Sequence, residues 1–139
     1  MVRKKSLVPA AFCAIACSSV AVGASVYPRA EFGGARPVNL SLATFRISPQ
    51  ILELKAGQRI LLRVANDSPI AHDLTAPDFF ARSQVSTGDQ SKIRDGRIAL
   101  QPHEGVVLAL IPRAGRYAVK CSHPFHNMLG MHGVILVDQ

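Results

Sequence analysis

The sequence predicts an all-β domain, an antiparallel β-sandwich interrupted by a long irregular insertion near residues 77–95. Two observations carry that prediction. The 139 residues are 48% hydrophobic and only 18% charged, which suits one compact domain and not a disordered chain. Short runs with apolar residues at alternate positions then recur between Gly, Pro, Asn and Asp turn signals, roughly seven or eight of them in about 100 residues.

Residues 1–24 read as an export signal. Arg3, Lys4 and Lys5 precede an apolar or small-residue run from Leu7 to Val26, and Val22 and Ala24 fit the small-x-small rule for cleavage after Ala24. The run approaches the length of a membrane span, but Ser18, Ser19, Gly23 and Ser25 dilute its far half. Lipid attachment at Cys17 is a minor alternative, because Ala14-Ile15-Ala16 lacks the large aliphatic residue such sites favour. The expected location is the periplasm. Removing this segment leaves 13 of the 16 Lys and Arg against the same 9 acids, so the net charge falls from +7 to +4. The remaining basic residues are scattered, and the expectation is no nucleic-acid partner and no stable membrane insertion. Cys13 and Cys17 leave too, so Cys121 stands alone and cannot form an intramolecular disulfide.

Residues 25–37, with Pro28, Gly33 and Gly34, read as an N-terminal extension, and 38–139 as the folded domain. Val38–Ile47 is β-rich with an apolar phase that slips between Leu42 and Phe45, the mark of a bulge. Ile51–Leu54 follows, then the Ala56-Gly57 turn and Arg59–Ala65, where Ile60, Leu62 and Val64 share a face. Asn66-Asp67-Ser68-Pro69 is a strong turn signal before Ile70–Ala76. Within 77–95, Phe79-Phe80-Ala81-Arg82 suits a helical turn and Ser86–Asp95 reads as polar and exposed. Arg97–Leu100 and Val106–Ile111 flank a hairpin-like connection, Tyr117–Cys121 follows the turn at 112–115, and Gly133–Val137 closes the domain.

The chemistry gathers near the C-terminus. Tyr117, Val119 and Cys121 share the inward face of a strand, so the thiol points where the core points. The following loop carries His126 and Met131, and His72 alternates with Ile70 and Leu74 on a separate strand. Two imidazoles, one thiolate and a weak thioether are the donors of a mononuclear copper site for electron transfer, because soft sulfur suits Cu(I) and imidazole serves Cu(II). Structural zinc prefers more thiolate and makes poor use of thioether. His123 offers a competing Cys-x-His pair, and His132 with His123 a surface cluster. Met128 reads as an apolar contact, and His103 as a solvated turn residue.

Cys121-x-x-Pro124-x-His126 followed by x4-Met131, with Asn66-x5-His72 upstream and a Gly133-x-Ile-x-Val closing strand, resembles the cupredoxins, the plastocyanin- and azurin-like blue copper proteins. The resemblance covers roughly 38–139. It implies a Greek-key sandwich holding one copper ion, Cu(I)/Cu(II), on His72, Cys121, His126 and Met131, with His126 near the surface as electron port. It implies a non-enzymatic, monomeric carrier of single electrons between redox partner proteins, with copper tolerance, storage or delivery as the alternative role. The residue after the first histidine is often Asn in that family and is Asp73 here; an ionised carboxylate only accepts hydrogen bonds, so the surroundings of the site differ.

Overall fold

The computed structural model describes residues 27–126 and 128–139. The export signal expected at 1–24 lies outside the described residues. Among the described residues, ten strands form two five-stranded sheets packed face to face, an all-β Greek-key-like sandwich. One sheet has the order β2-β1-β4-β8-β6, with β1 Arg36–Ala43, β2 Arg46–Ser48, β4 Ile60–Asn66, β6 Gln84–Val85 and β8 Gly105–Ile111. The other has the order β3-β10-β9-β5-β7, with β3 Ile51–Lys55, β5 His72–Thr75, β7 Arg97–Leu100, β9 Gly115–Lys120 and β10 His132–Asp138. The core between them is built from the alternate positions the sequence marks: Leu40 and Leu42 of β1, Ile60, Leu62 and Val64 of β4, Leu108 and Leu110 of β8, all buried. Tyr117, Val119 and Ile135 answer from the second sheet.

Four local expectations change. The sandwich is not purely antiparallel: β1 runs parallel to β4 from Arg36↔Ile60 to Leu42↔Asn66, and β10 parallel to β3. The phase slip near Phe45 is a tight turn and not a bulge, since β1 and β2 form a hairpin in which Ala43 pairs with Arg46. Phe45 sits there at φ 57, so the chain reverses at the slip and the inward phase restarts at Ile47. The 101–104 connection is not a hairpin either. β7 pairs with β5 in one sheet while β8 pairs with β4 and β6 in the other, so the loop crosses the sandwich.

The fourth change concerns 77–95, which contains a short helix, α1 Pro77–Arg82, then β6 and a 3-10 turn at Gln90–Lys92. Proline at its first position starts α1, and Phe79 and Phe80 bury its inner face, Phe79 against the Tyr117 ring at 5.4 Å between centroids. Ser86 and Asp89, read as exposed, are buried. Asp89 accepts from Arg29 Nη1 at 2.6 and 2.8 Å, Lys92 Nζ at 2.5 Å, Ser86 Oγ at 2.7 Å and the Ala109 amide at 2.9 Å. One carboxylate thereby ties the insertion to β8 and to the segment before β1, where Phe32 is also buried. Among the described residues no helix is long and apolar enough to cross a membrane.

β10 lies so close to the chain before β3 that glycine is required at its second position. A Cβ on Gly133 would stand 2.5 Å from the Gln50 carbonyl oxygen, which already accepts the Val134 amide at 2.8 Å. Gly133→Ala is therefore expected to cost about 1–3 kcal/mol through backbone displacement. Urea unfolding checks it; a midpoint equal to that of the unsubstituted protein would contradict the packing described.

Candidate metal centre

One end of the sandwich gathers the loops between β4 and β5 and between β9 and β10. Asn66 closes the first of them. Its side-chain amide donates to the carbonyls of Ile70 at 2.8 Å and Gln101 at 2.9 Å, while its oxygen accepts the Ser68 amide at 3.0 Å. The Ser68 hydroxyl donates to the same Ile70 carbonyl at 2.9 Å. Asn66 is buried, so these bonds satisfy groups that would otherwise be costly to leave unpaired. The knot fixes where β5 begins, and β5 begins at His72. Ile70 itself is exposed in the loop and does not share the buried face of His72 and Leu74.

The second loop is stitched by backbone bonds between the residues it presents. The Cys121 amide donates to the Met131 carbonyl at 3.0 Å, and the Met131 amide donates to the His126 carbonyl at 3.0 Å. Cys121 continues the inward face of β9, Met131 is fully buried at the foot of β10, and His126 is half-buried at the rim. Three side chains from a loop of eleven residues are thus held by the same few bonds.

Donor atoms from the two loops meet. Cys121 Sγ is 3.9 Å from His72 Nδ1 and 3.7 Å from His126 Nδ1, and the three donors lie within 4.8 Å of one another. The imidazole rings of His72 and His126 are 5.0 Å apart. Burial and the neighbouring His126 and His123 lower the pKa of His72, leaving a neutral imidazole with a free lone pair. Burial likewise raises the Cys121 thiol, so the thiolate calls for a cation beside it. The Nε2 of His72 is buried with no hydrogen-bond partner among the described residues. Two imidazole nitrogens facing one sulfur, with a buried methionine joined through its backbone to Cys121 and His126, fit the donor preferences of a single copper ion.

No protein-family model and no curated protein matches the sequence. Solved structures do match. A dithionite-reduced auracyanin from the photosynthetic bacterium Roseiflexus castenholzii superposes with TM-score 0.57 at 16% identity, over 76% of this chain and 98% of that one. Auracyanin B gives TM-score 0.51 at 20% identity over 76% and 90%. The McoA multicopper oxidase of Aquifex aeolicus gives 0.60 at 17% identity over 84% of this chain, which spans only 32% of the oxidase. The fold is cupredoxin-like.

Within this cupredoxin-like domain the other histidines separate. His123 is half-buried, its ring 5.4 Å from that of His126 and 6.5 Å from that of His72, so it stands at the edge of the cluster. With Asp73 and Cys121 it forms a second group of donors within 4.8 Å, which shares the one sulfur. His132 is exposed at the start of β10, and His103 is an exposed turn residue at φ 59.

Two features of the site are only partly visible in the sequence. Asp73 is buried and braces the ligand loop, accepting the Ser122 amide at 2.9 Å, the Ser122 hydroxyl at 2.7 Å and the Thr75 hydroxyl at 2.6 Å. Burial alone would raise its pKa, but the bonds from Thr75 and Ser122 outweigh that and hold it below the usual carboxylate range. The rim around His126 is apolar and open: Phe125, Met128 and Leu129 are exposed, and the Phe45 ring meets the His126 ring edge-on at 5.5 Å. Phe45 gave no sequence signal, because only the hairpin turn brings it there.

Proposed function

We propose that this chain is an exported mononuclear copper protein that carries single electrons between redox partners. In this reading residues 1–24 are removed on export to the periplasm, 25–37 are an N-terminal extension, and 38–139 form the copper domain. His72, Cys121 and His126 hold one copper ion, with Met131 as the weak axial donor. Bound copper would supply a one-electron couple between Cu(I) and Cu(II). The observation that carries the reading is the convergence of both Nδ1 atoms on one buried thiol, at 3.9 and 3.7 Å.

The chain's own residues supply what such a carrier needs. Asn66 and the Cys121–Met131 backbone bond hold the donors in place, so little has to move when charge changes. Burial of His72, Cys121 and Met131 keeps water from the sulfur side. The half-buried His126 and the apolar rim of Phe45, Phe125 and Met128 give a partner a dry contact close to the site.

Copper storage or delivery would use the same donors but release the ion. The test is retention through turnover: load the mature chain with one equivalent of copper, reduce and reoxidise it repeatedly beside a Cu(I) chelator, and measure copper left on the protein. A carrier keeps its copper through every cycle, and transfer to the chelator on first reduction would contradict the proposal.

His123 decides the ligand assignment. His123→Ala is expected to leave the visible spectrum of the copper-loaded protein nearly unchanged, whereas His126→Ala alters it strongly. The reverse pattern in absorption spectra would move the second imidazole to His123 and discard the assignment of His126.

A further inference from the structure

We propose that the carboxylate of Asp73 sets the reduction potential of the bound copper, holding it lower than a neutral residue of the same shape would. The inference rests on the copper-carrier reading and adds to it a residue outside the donor set of His72, Cys121, His126 and Met131. Asp73 is 2% exposed, and its Oδ2 lies 3.9 Å from Cys121 Sγ. Besides the Cys121 thiol, three groups donate hydrogen bonds to the carboxylate: the Ser122 amide, the Ser122 hydroxyl and the Thr75 hydroxyl. Such a shell suits the ionised form, with all donors aimed at oxygen. Hydrogen bonds from neutral groups leave the charge in place; a ring nitrogen of His123 lies within 4.8 Å, but no salt bridge to Asp73 forms among the described residues, where both ion pairs involve Asp89. Arg97 reaches only the Ser122 hydroxyl, at 3.3 Å, one group removed.

A fixed negative charge beside the sulfur favours the more positive state of the centre. Oxidised copper with its thiolate carries one more unit of positive charge than reduced copper, so Asp73 stabilises the oxidised form and lowers the potential. The effect survives because the carboxylate is buried, where solvent screens it less than at the surface. Asp73 is a positioning residue as well, since the same oxygens hold the chain just after Cys121. The two roles come apart in Asp73→Asn, which keeps the shape and an oxygen for the Ser122 amide but removes the charge.

The experiment is a spectroelectrochemical titration of copper-loaded protein carrying Asp73, Asp73→Asn or Asp73→Ala, with amide hydrogen exchange at Ser122 in the metal-free proteins. At a fixed ambient potential, Asp73→Asn is expected to raise the ratio of reduced to oxidised copper at least tenfold, or 59 mV for a one-electron couple, with the thiolate absorption band retained. Exchange at Ser122 is expected to stay slow in Asp73→Asn and quicken in Asp73→Ala. A ratio within threefold of the unsubstituted protein overturns the charge-setting role. Absence of the band from the unsubstituted protein would instead overturn the copper reading beneath it, and the charge-setting role with it. If Asp73→Asn fails to fold, Asp73→Ser, which removes the charge and leaves a smaller polar group on Cβ, takes its place with the same expectation for the potential.

Discussion

Replacing Cys121 with serine is expected to abolish the intense visible absorption that the copper-carrier reading predicts for the copper-loaded protein. The band requires a thiolate bound directly to Cu(II), and Cys121 is the cysteine that both histidine Nδ1 atoms face. The substitution is nearly isosteric in a site whose amide is already held by the Met131 carbonyl at 3.0 Å, so the fold is expected to persist. Absorption spectroscopy of the loaded Cys121→Ser protein, with circular dichroism to confirm folding, checks the prediction. A folded variant that keeps the band would remove the thiolate from the account.

The largest expected effect on stability falls far from the metal centre. Asp89→Ala strips the shared partner from Arg29, Lys92, Ser86 and the Ala109 amide together. The Ala109 amide and Ser86 hydroxyl are then buried without an acceptor, and hydrogen bonds to a charged group are lost. About 3 kcal/mol is expected, or roughly 10 °C of Tm for a domain this size. The same carboxylate sets an acid limit. Burial alone would raise the Asp89 pKa, but bonds from Lys92, Ala109 and Ser86, with the charge of Lys92, hold it below the usual range. A carboxyl lowered on folding adds stability above its unfolded pKa and loses that contribution as pH falls through the lowered folded value. The stability gap between the natural protein and Asp89→Asn is therefore expected to be largest near neutral pH and to close on acidification. Denaturant unfolding as a function of pH measures it; a gap that widens in acid would contradict the assignment.

The gathering of His72, Cys121 and His126 was more legible in the sequence than the paths of the strands. Cys121, His126 and Met131 lie in one short loop, and the alternation of Tyr117, Val119 and Cys121 announced an inward thiol that the buried strand β9 shows. His72 was harder, because one histidine on an apolar face carries little information. The C-terminal loop made the difference, and the bonds of Asn66 to Ile70 and Gln101 show the physical reason for the Asn66-x5-His72 spacing.

Sheet membership was not legible. Arg97–Leu100 and Val106–Ile111 look like two arms of a hairpin, yet the loop between them crosses from one sheet to the other, a choice made by partners distant in sequence. The parallel pairing of β1 with β4 was hidden for the same reason, since β2 and β3 lie between them in the chain. Asp89 illustrates the limit for polar residues. In the run from Ser86 to Asp95 it looks solvated, and its burial becomes tolerable only when Arg29, sixty residues upstream, and the Ala109 amide, twenty downstream, arrive to pair with it. Asp73 reads as an acceptor in the sequence, but its two donors on Ser122 come beside it only where β9 pairs with β5.

The central claim is that His72, Cys121 and His126 bind one copper ion as a reversible one-electron centre. The most direct test is visible absorption and electron paramagnetic resonance of the mature chain loaded with one equivalent of Cu(II), followed by a mild reductant and then an oxidant. The account predicts an intense thiolate-to-copper band that bleaches on reduction and returns in full on oxidation. The spectrum of an ordinary tetragonal cupric site, without that band, would contradict it.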